Sequence, residues 1–216
     1  MELKIDHGSP ADMRGRLPKE VRAYALLDSL GIDYMRADHE ALPTIEACQK
    51  VDEALGTSMC KNLFLCNQQK TKFYLLLMPG RKLFKTKYLS SQIGSGRLSF
   101  AGEEKLEELM GLTPGSVTVL GLMNDREGRV QLLIDRDLLT GERFGCHPCI
   151  NTASVAFTVE ELTKKLIPAL SHEPIYVELP WTEAEKGAVQ GGGMGSTEPG
   201  PKPSGPQAGA AKGGMV

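Results

Sequence analysis

The stretch with the richest chemistry runs from residue 145 to residue 152 and reads Gly-Cys-His-Pro-Cys-Ile-Asn-Thr. A loop built on Gly145 and Pro148 can aim several backbone N–H groups at one point, as a receptor for a carbonyl group or an oxyanion requires. His147 could donate a hydrogen bond, act as a base or gate a pocket, or it could simply pack beneath the loop. The residue types therefore indicate a candidate site, with a purely structural loop as the alternative.

Cys146 and Cys149 in the same stretch form a C-x-x-C pair, which is a redox motif in thioredoxin-like proteins. In those proteins the motif opens a helix that lowers the thiol pKa, whereas the residues after Cys149 favour a strand. A zinc site that adds Cys60 or Cys66 is a second alternative, but the chain has no second C-x-x-C. We expect reduced, buried cysteines, no metal and no cofactor.

A basic window hidden by the net charge of −2 extends from Ala54 to Gly102, where no Asp or Glu occurs. Aromatic residues are interleaved in it, which suits contacts to phosphates beside stacked bases. The alternative is a solvated positive face that balances an acidic helix over residues 103–108. The cations are Lys61, Lys70, Lys72, Arg81, Lys82, Lys85, Lys87 and Arg97, and the aromatic residues are Phe73, Tyr74, Phe84 and Tyr88.

Composition divides the chain near Pro180. Residues 1–180 have the composition of one soluble domain that can bury its own core. Residues 181–216 are rich in Gly and Pro and predict a disordered tail, because such a segment buries too little apolar surface to offset its ordering entropy. No apolar run is long enough to span a membrane, and no secretory signal is visible, so we expect a cytoplasmic protein.

Within residues 1–180, hydrophobic periodicity predicts about seven strands and five helices in an α/β or α+β arrangement. Strands over 62–66 and 73–78 should form a hairpin, and strands over 117–123 and 129–135 should be joined by a turn at 124–128. Thr158 and Glu161 form a capping box that starts a helix running to about Leu170. The candidate site would then lie in a loop between two strands.

Five segments of this chain, in order along residues 15–180, resemble the YbaK-like prolyl-tRNA editing domains. They are Leu30-Gly31-Ile32-Asp33-Tyr34 with His39, Thr44 and Glu46; Gly56 with Lys61-Asn62-Leu63-Phe64-Leu65; Phe100-Ala101 with Glu103 and Glu104; Leu112-Thr113-Pro114-Gly115-Ser116-Val117; and Gly145-Cys146-His147-Pro148 with Asn151-Thr152. The last segment is similar to the signature of free-standing deacylases that act on Ala-tRNA(Pro). The resemblance implies one editing domain, with a mixed β-sheet or barrel flanked by helices.

The same resemblance implies roles for individual residues. A water molecule would attack the aminoacyl ester, Lys61 would hold the terminal phosphate or ribose, and Asn62 would orient nearby groups. The loop from Gly145 to Pro148 would present backbone donors to the ester carbonyl, and His147 would contact the aminoacyl end. The remaining substrate-binding residues would be His39, Cys146, Pro148, Asn151 and Thr152, and the tRNA-binding cations would be Lys70, Lys72, Arg81, Lys82, Lys85 and Lys87.

The selectivity expected from the resemblance is size exclusion, since a pocket with Cys146 in its wall can admit alanine and reject proline by steric clash. Cys149 could enlarge that pocket, so the sequence does not decide whether the amino acid removed is alanine or another small one. The expected partner is aminoacyl-tRNA, and the near-neutral net charge is compatible with help from prolyl-tRNA synthetase. A catalytically idle tRNA-binding module and a thiol-redox protein are the alternative functions.

Overall fold

The structure is a computed structural model that describes residues 3–41 and 45–181, with the backbone alone for 45–48. Within these residues nine strands form two sheets. The first sheet is antiparallel, in the order β1 (Ile5–His7), β2 (Met35–Asp38), β8 (Ala153–Thr158) and β7 (Arg143–Cys146). The second is mixed, in the order β5 (Leu98–Phe100), β3 (Lys61–Asn67), β4 (Phe73–Met78), β6 (Val130–Asp135) and β9 (Ile175–Val177). In the second sheet β4, β6 and β9 run parallel, and β5, β3 and β4 run antiparallel.

Helices surround both sheets. They are α1 (Pro18–Ser29), α2 (Ile45–Leu55), α3 (Thr86–Gln92), α4 (Glu103–Met110), α5 (Val159–Glu161) and α6 (Ile167–Leu170). A π-helical stretch, Leu162–Leu166, joins α5 to α6, so the helix predicted from Thr158 to Leu170 is continuous. Its capping box is present, with the Thr158 hydroxyl accepting from the Glu161 N–H. No helix in the described part of the chain is long and apolar enough to cross a membrane.

Two buried clusters cover the two faces of the mixed sheet. The alternation of side chains along β4 sends Phe73, Leu75 and Leu77 into the larger cluster, which α1, α4, β7 and β8 also build. Tyr74, Leu76 and Met78 point into a smaller cluster beneath α3. The fold prediction of a mixed α/β domain is confirmed, and residues 182–216 of the predicted tail lie outside the described residues.

Several predicted strands differ from the observed ones. The segment predicted as a strand over 117–123 forms a 3-10 helix, Val119–Asn124, so no hairpin joins it to β6. The Thr118 hydroxyl caps this helix by accepting from the Leu120 N–H. At Gly121 an added Cβ would lie 2.5 Å from Leu112 Cδ1, so this tight turn packs where a larger residue could not. Strands β1 and β7 are absent from the sequence prediction.

Candidate active site

The segment that leads into β3 passes between two glycines. A Cβ added at Gly80 would lie 2.2 Å from the main-chain oxygen of Met59, and one added at Gly145 would lie 2.8 Å from both Met59 Sδ and Thr57 Cγ2. Met59 forms a parallel bridge with Gly145, and the Cys60 N–H donates to the Gly145 carbonyl oxygen at 3.2 Å. These close approaches join the two sheets and hold the predicted catalytic loop against the start of β3.

The first half of β3 has an open edge. Strand β5 pairs with Leu65–Asn67, and the Ala101 N–H donates to the Phe64 oxygen at 3.0 Å. Between these contacts and the bridge at Gly145, no strand in the described ranges pairs with β3 on this side. Backbone groups alternate in direction along an antiparallel strand, so the N–H and C=O of Asn62 point to this opening, as those of Phe64 point to β5.

Lys61 lies at the start of this edge and is half-buried. Its ammonium group donates a hydrogen bond to the main-chain oxygen of Lys82 at 2.8 Å. The Lys82 N–H donates in turn to the Pro79 oxygen at 3.0 Å, which closes the turn that carries Gly80. Lys61 is therefore a cation held by a tight turn beside the opening.

Lys82 corrects one of the predicted tRNA contacts. Its side chain is fully buried, and its ammonium group lies 2.7 Å from a carboxylate oxygen of both Asp135 and Asp137. Trp181 donates from Nε1 to Asp137 at 2.6 Å, and its ring lies 5.0 Å from the Lys82 ammonium group. Burial opposes the ionisation of Asp137, but the hydrogen bonds from Lys82 and Trp181 lower its pKa. A lysine enclosed in this way anchors the turn and cannot contact a phosphate on the surface.

Asn62 points to the opposite face of the sheet from Lys61, as neighbours in a strand do. Its Nδ2 lies 3.1 Å from Cys60 Sγ and 3.3 Å from the Cys60 oxygen. Its Oδ1 is buried and has no hydrogen-bond partner among the described residues. An unsatisfied buried acceptor costs about 1–3 kcal/mol, and native proteins keep few of them, commonly where they serve a function.

His147 follows β7 and is largely enclosed by the loop. Its Nδ1 lies 2.8 Å from the Ala153 oxygen, and its ring centroid lies 6.4 Å from that of His39. His39 Nε2 in turn lies 2.9 Å from the Ser154 hydroxyl, a contact that sequence reasoning missed. Burial is the main cause that lowers the pKa of His147, so the imidazole is neutral near pH 7.

The cysteines at the site are buried thiols. Cys60, Cys146 and Cys149 are free thiols, and Cys149 sits in the loop with a left-handed φ of 63°. Burial raises the pKa of Cys60 and of Cys149 to about 12, and it raises the pKa of Cys146 as well. A redox C-x-x-C needs an accessible, acidic thiol, so the geometry argues against that alternative. In the described ranges, no group of three potential ligands is placed to hold a metal ion.

Three of the predicted substrate-binding residues line a separate cavity of about 520 Å³. His39, Asn151 and Thr152 form one wall of it, and the other wall comes from α1 and the residues before it. There Arg16 pairs with Asp38 at 2.8 Å and with the buried Glu20. Neither Lys61 nor His147 lines this cavity, although the contact between the two histidine rings links it to the β3 edge. The predicted site residues therefore form two adjoining groups.

The other predicted tRNA-binding cations are exposed but divided between two places. Lys70 and Lys72 lie in the turn between β3 and β4, at the end of the hairpin opposite to Lys61. Since β3 has seven residues, the two ends are about 20 Å apart. Arg81, Lys85 and Lys87 follow β4 and lie in the chain next to the turn that holds Lys61. The second group is thus the one placed near the open edge.

Comparison with known proteins identifies the family of this chain. Residues 39–165 match the model of the aminoacyl-tRNA editing domain. The prolyl-tRNA editing protein ProX of Acetoanaerobium sticklandii is 34% identical over 140 residues, which are 65% of this chain and 85% of that protein. Prolyl-tRNA synthetase associated domain-containing protein 1 of Xenopus laevis is 32% identical over 169 residues, which are 76% of this chain and 98% of that protein.

A solved structure gives the same fold. The crystal structure of a candidate trans-editing enzyme for prolyl-tRNA synthetase superimposes with a TM-score of 0.56 at 17% sequence identity, covering 76% of this chain and 99% of that one. The family predicted from the sequence segments is confirmed by the matched domain and by the relatives. The chain belongs to the aminoacyl-tRNA editing domain family, whose members hydrolyse the ester of misacylated tRNA.

Proposed function

We propose that this protein is a trans-editing deacylase that removes alanine from Ala-tRNA(Pro). The observation that carries the proposal is the junction at the start of β3, where Gly80 and Gly145 hold Lys61 and Asn62 beside the loop of His147. The name of the ProX relative, a prolyl-tRNA editing protein, supports tRNA(Pro) as the nucleic acid.

In this proposal the ester crosses the open edge of β3. Lys61 lies on one face of the sheet, where its ammonium group would bind the terminal phosphate or ribose. Asn62, Gly145 and His147 lie towards the other side, where the aminoacyl group would enter. Backbone N–H groups of the loop and of Asn62 would then stabilise the carbonyl oxygen as negative charge develops on it.

Water is the proposed nucleophile. The nearby thiols are buried, and their raised pKa values keep them protonated, so none is suited to covalent attack. An aminoacyl ester is already activated, and a pocket that orients the ester, a water molecule and a few donors can suffice for its hydrolysis. The neutral imidazole of His147 can contact the aminoacyl end without adding a charge to the pocket.

Discrimination between alanine and proline would rest on the size of the pocket. Cys146 and Pro148 are buried beside His147, so a ring larger than a methyl group would have to displace packed side chains. This steric argument favours small amino acids in general and leaves alanine as the substrate expected from the family resemblance. We also propose that prolyl-tRNA synthetase assists in trans, in keeping with the name of the Xenopus relative.

The test is hydrolysis of Ala-tRNA(Pro), Pro-tRNA(Pro) and a Ser-tRNA by the purified full chain. Loss of alanine with retention of proline is the expected result. Equal hydrolysis of the alanine and proline esters would overturn size exclusion, and hydrolysis of the serine ester alone would change the substrate. No hydrolysis of any of them would favour a binding module without catalytic activity.

A further inference from the structure

Two aromatic side chains, the exposed Phe100 and the half-buried Phe84, lie on the face of the mixed sheet that carries Lys61. Phe100 is 64% exposed although it lies in a strand, and its ring centroid is 6.2 Å from that of Phe84 in an edge-to-face arrangement. Phe100 is paired in register with Leu65, so the two side chains share a face. Lys61 shares that face too, because it lies four residues before Leu65 in the same strand.

This aromatic pair is close to the candidate active site. Leu65 lies four positions after Lys61 in the same strand, a distance of about 13 Å. Phe84 is nearer to Lys61, because it lies two residues after Lys82, whose carbonyl oxygen accepts the hydrogen bond from Lys61. Phe84 packs on the smaller cluster beneath α3, and α3 itself packs against β5, the strand that carries Phe100. Its base is therefore rigid, while the Phe100 ring stays accessible.

The charges around the pair favour an anionic partner. Lys85 and Arg97 are exposed and form no ion pair within the described ranges, Arg81 is exposed with only a longer-range interaction with Asp52, and Lys87 lies over the Tyr88 ring at 4.8 Å. In the chain Arg81 and Lys85 flank Phe84, and Glu103 and Glu104 begin α4 after Phe100. Flat apolar rings beside unpaired cations suit unstacked bases joined by phosphates, whereas a protein interface would have fewer charges at its centre.

We propose that Phe84 and Phe100 form a stacking platform for the unpaired bases that precede the terminal adenosine of the aminoacyl-tRNA. The proposal rests on the proposed deacylase function, because it assumes that Lys61 holds the terminal nucleotide. Base stacking on an aromatic side chain is independent of sequence, so the platform adds affinity for any single-stranded 3′ end. It extends the substrate contacts beyond the aminoacyl-adenosine itself.

The experiment compares Phe100→Ala with Tyr176→Ala, which removes an exposed aromatic residue from β9 at the opposite edge of the same sheet. Each variant is assayed on Ala-tRNA(Pro) and on 3′-O-alanyl-adenosine 5′-monophosphate, which carries the same ester on the ribose but lacks the preceding nucleotides. Phe100→Ala should raise KM for the tRNA between about 5-fold and 100-fold, with kcat unchanged and no effect on the short substrate. Phe100→Trp should restore KM, and Tyr176→Ala should match the wild type.

Equal losses on both substrates would overturn the platform, since Phe100 would then act on the pocket itself. A KM of Phe100→Ala for the tRNA that matches that of the Tyr176→Ala control would also overturn the platform. A loss of activity in Phe100→Ala that is seen only when prolyl-tRNA synthetase is present would overturn it too, because it would mark a protein interface. Binding of an uncharged RNA hairpin with an unpaired 3′ strand needs no turnover. If the wild type binds this hairpin more tightly than Phe100→Ala yet hydrolyses nothing, the platform stands and the proposed function fails.

Discussion

The ammonium group of Lys61 donates to the main-chain oxygen of Lys82, and the side chain of Lys82 is in turn enclosed by Asp135 and Asp137. The buried side chain of Lys82 thus holds in place the main-chain oxygen that positions Lys61, the candidate catalytic cation. The turn between them, which contains Gly80, is also pressed against Met59 at the start of β3. The position of Lys61 therefore depends on residues that contact no substrate.

This arrangement predicts that Lys82→Met damages both stability and activity. Removing one partner of a buried ion pair costs about 3–5 kcal/mol in the free energy of unfolding, because Asp135 is left buried and unpaired. Urea unfolding measures this loss. The control Lys50→Met, at an exposed site on α2, should change the free energy of unfolding by less than about 0.5 kcal/mol. Below the unfolding transition, kcat should fall about 10-fold while KM changes less, because Lys61 loses its fixed acceptor.

Lys82→Met/Asp135→Asn separates positioning from folding. Neutralising the stranded carboxylate should recover part of the stability lost by the single variant. The turn would still lack its anchor, so kcat should remain low. If kcat recovered in step with stability, the proposed link from Lys82 to Lys61 would be wrong.

Gly145→Ala should weaken the junction between the sheets. The new methyl group would lie 2.8 Å from Met59 and Thr57, so the loop or β3 must shift, at about 1–3 kcal/mol of stability. Deacylation should fall with it, since the loop would no longer be held against Met59 and Cys60 at the start of β3. Gly96→Ala is the matched control, because an added Cβ there meets no atom within 4 Å. Equal melting temperatures and rates for the two variants would show that the junction is looser than described.

The buried imidazole of His147 predicts a pH dependence of stability. Burial lowers the pKa of His147 below its ordinary value of 6.5, so the unfolded chain binds the proton at higher pH than the folded one. The stability that neutral His147 contributes is therefore present above pH 6.5 and is lost as the pH falls below it. His39, whose ring faces that of His147, is a further cause that lowers the pKa of His147.

Urea unfolding between pH 5 and pH 8 measures this dependence. The difference in unfolding free energy between the wild type and His147→Gln should shift in favour of the variant as the pH falls. His7→Gln, which replaces an exposed histidine, should show no such shift. A constant difference between the wild type and His147→Gln would mean that His147 is accessible to water in the folded protein.

Local signals in the sequence were sufficient for some of these elements. The capping box of Thr158 and Glu161 depends on four consecutive residues, and it forms as predicted. The segment after Thr118 differs from its prediction, because its apolar, β-branched start is typical of a strand, whereas tight packing around Gly121 favours a 3-10 helix. Strand β7 has only four residues, one of them glycine, and its existence depends on pairing with β8.

The candidate site was predictable in its residues but not in its arrangement. Motifs identify Lys61, Asn62 and the loop from Gly145. The junction between that loop and the start of β3, however, is made at Met59, which packs against Gly80, and the sequence marks Gly80 only as part of a turn. Lys82 has the sequence context of a surface lysine. Its burial depends on Asp135 and Asp137, more than 50 residues away, which no local pattern connects to it.

The most direct test of the central claim, that the β3 edge at Lys61 is the deacylation site, is single-turnover hydrolysis of Ala-tRNA(Pro) by Lys61→Ala. Lys164→Ala, which removes an exposed lysine in a surface ion pair, is the matched control. The account predicts a rate lowered about 100-fold or more by Lys61→Ala and unchanged by Lys164→Ala, with melting temperatures near that of the wild type. A folded Lys61→Ala variant that hydrolyses the ester at the wild-type rate would contradict it.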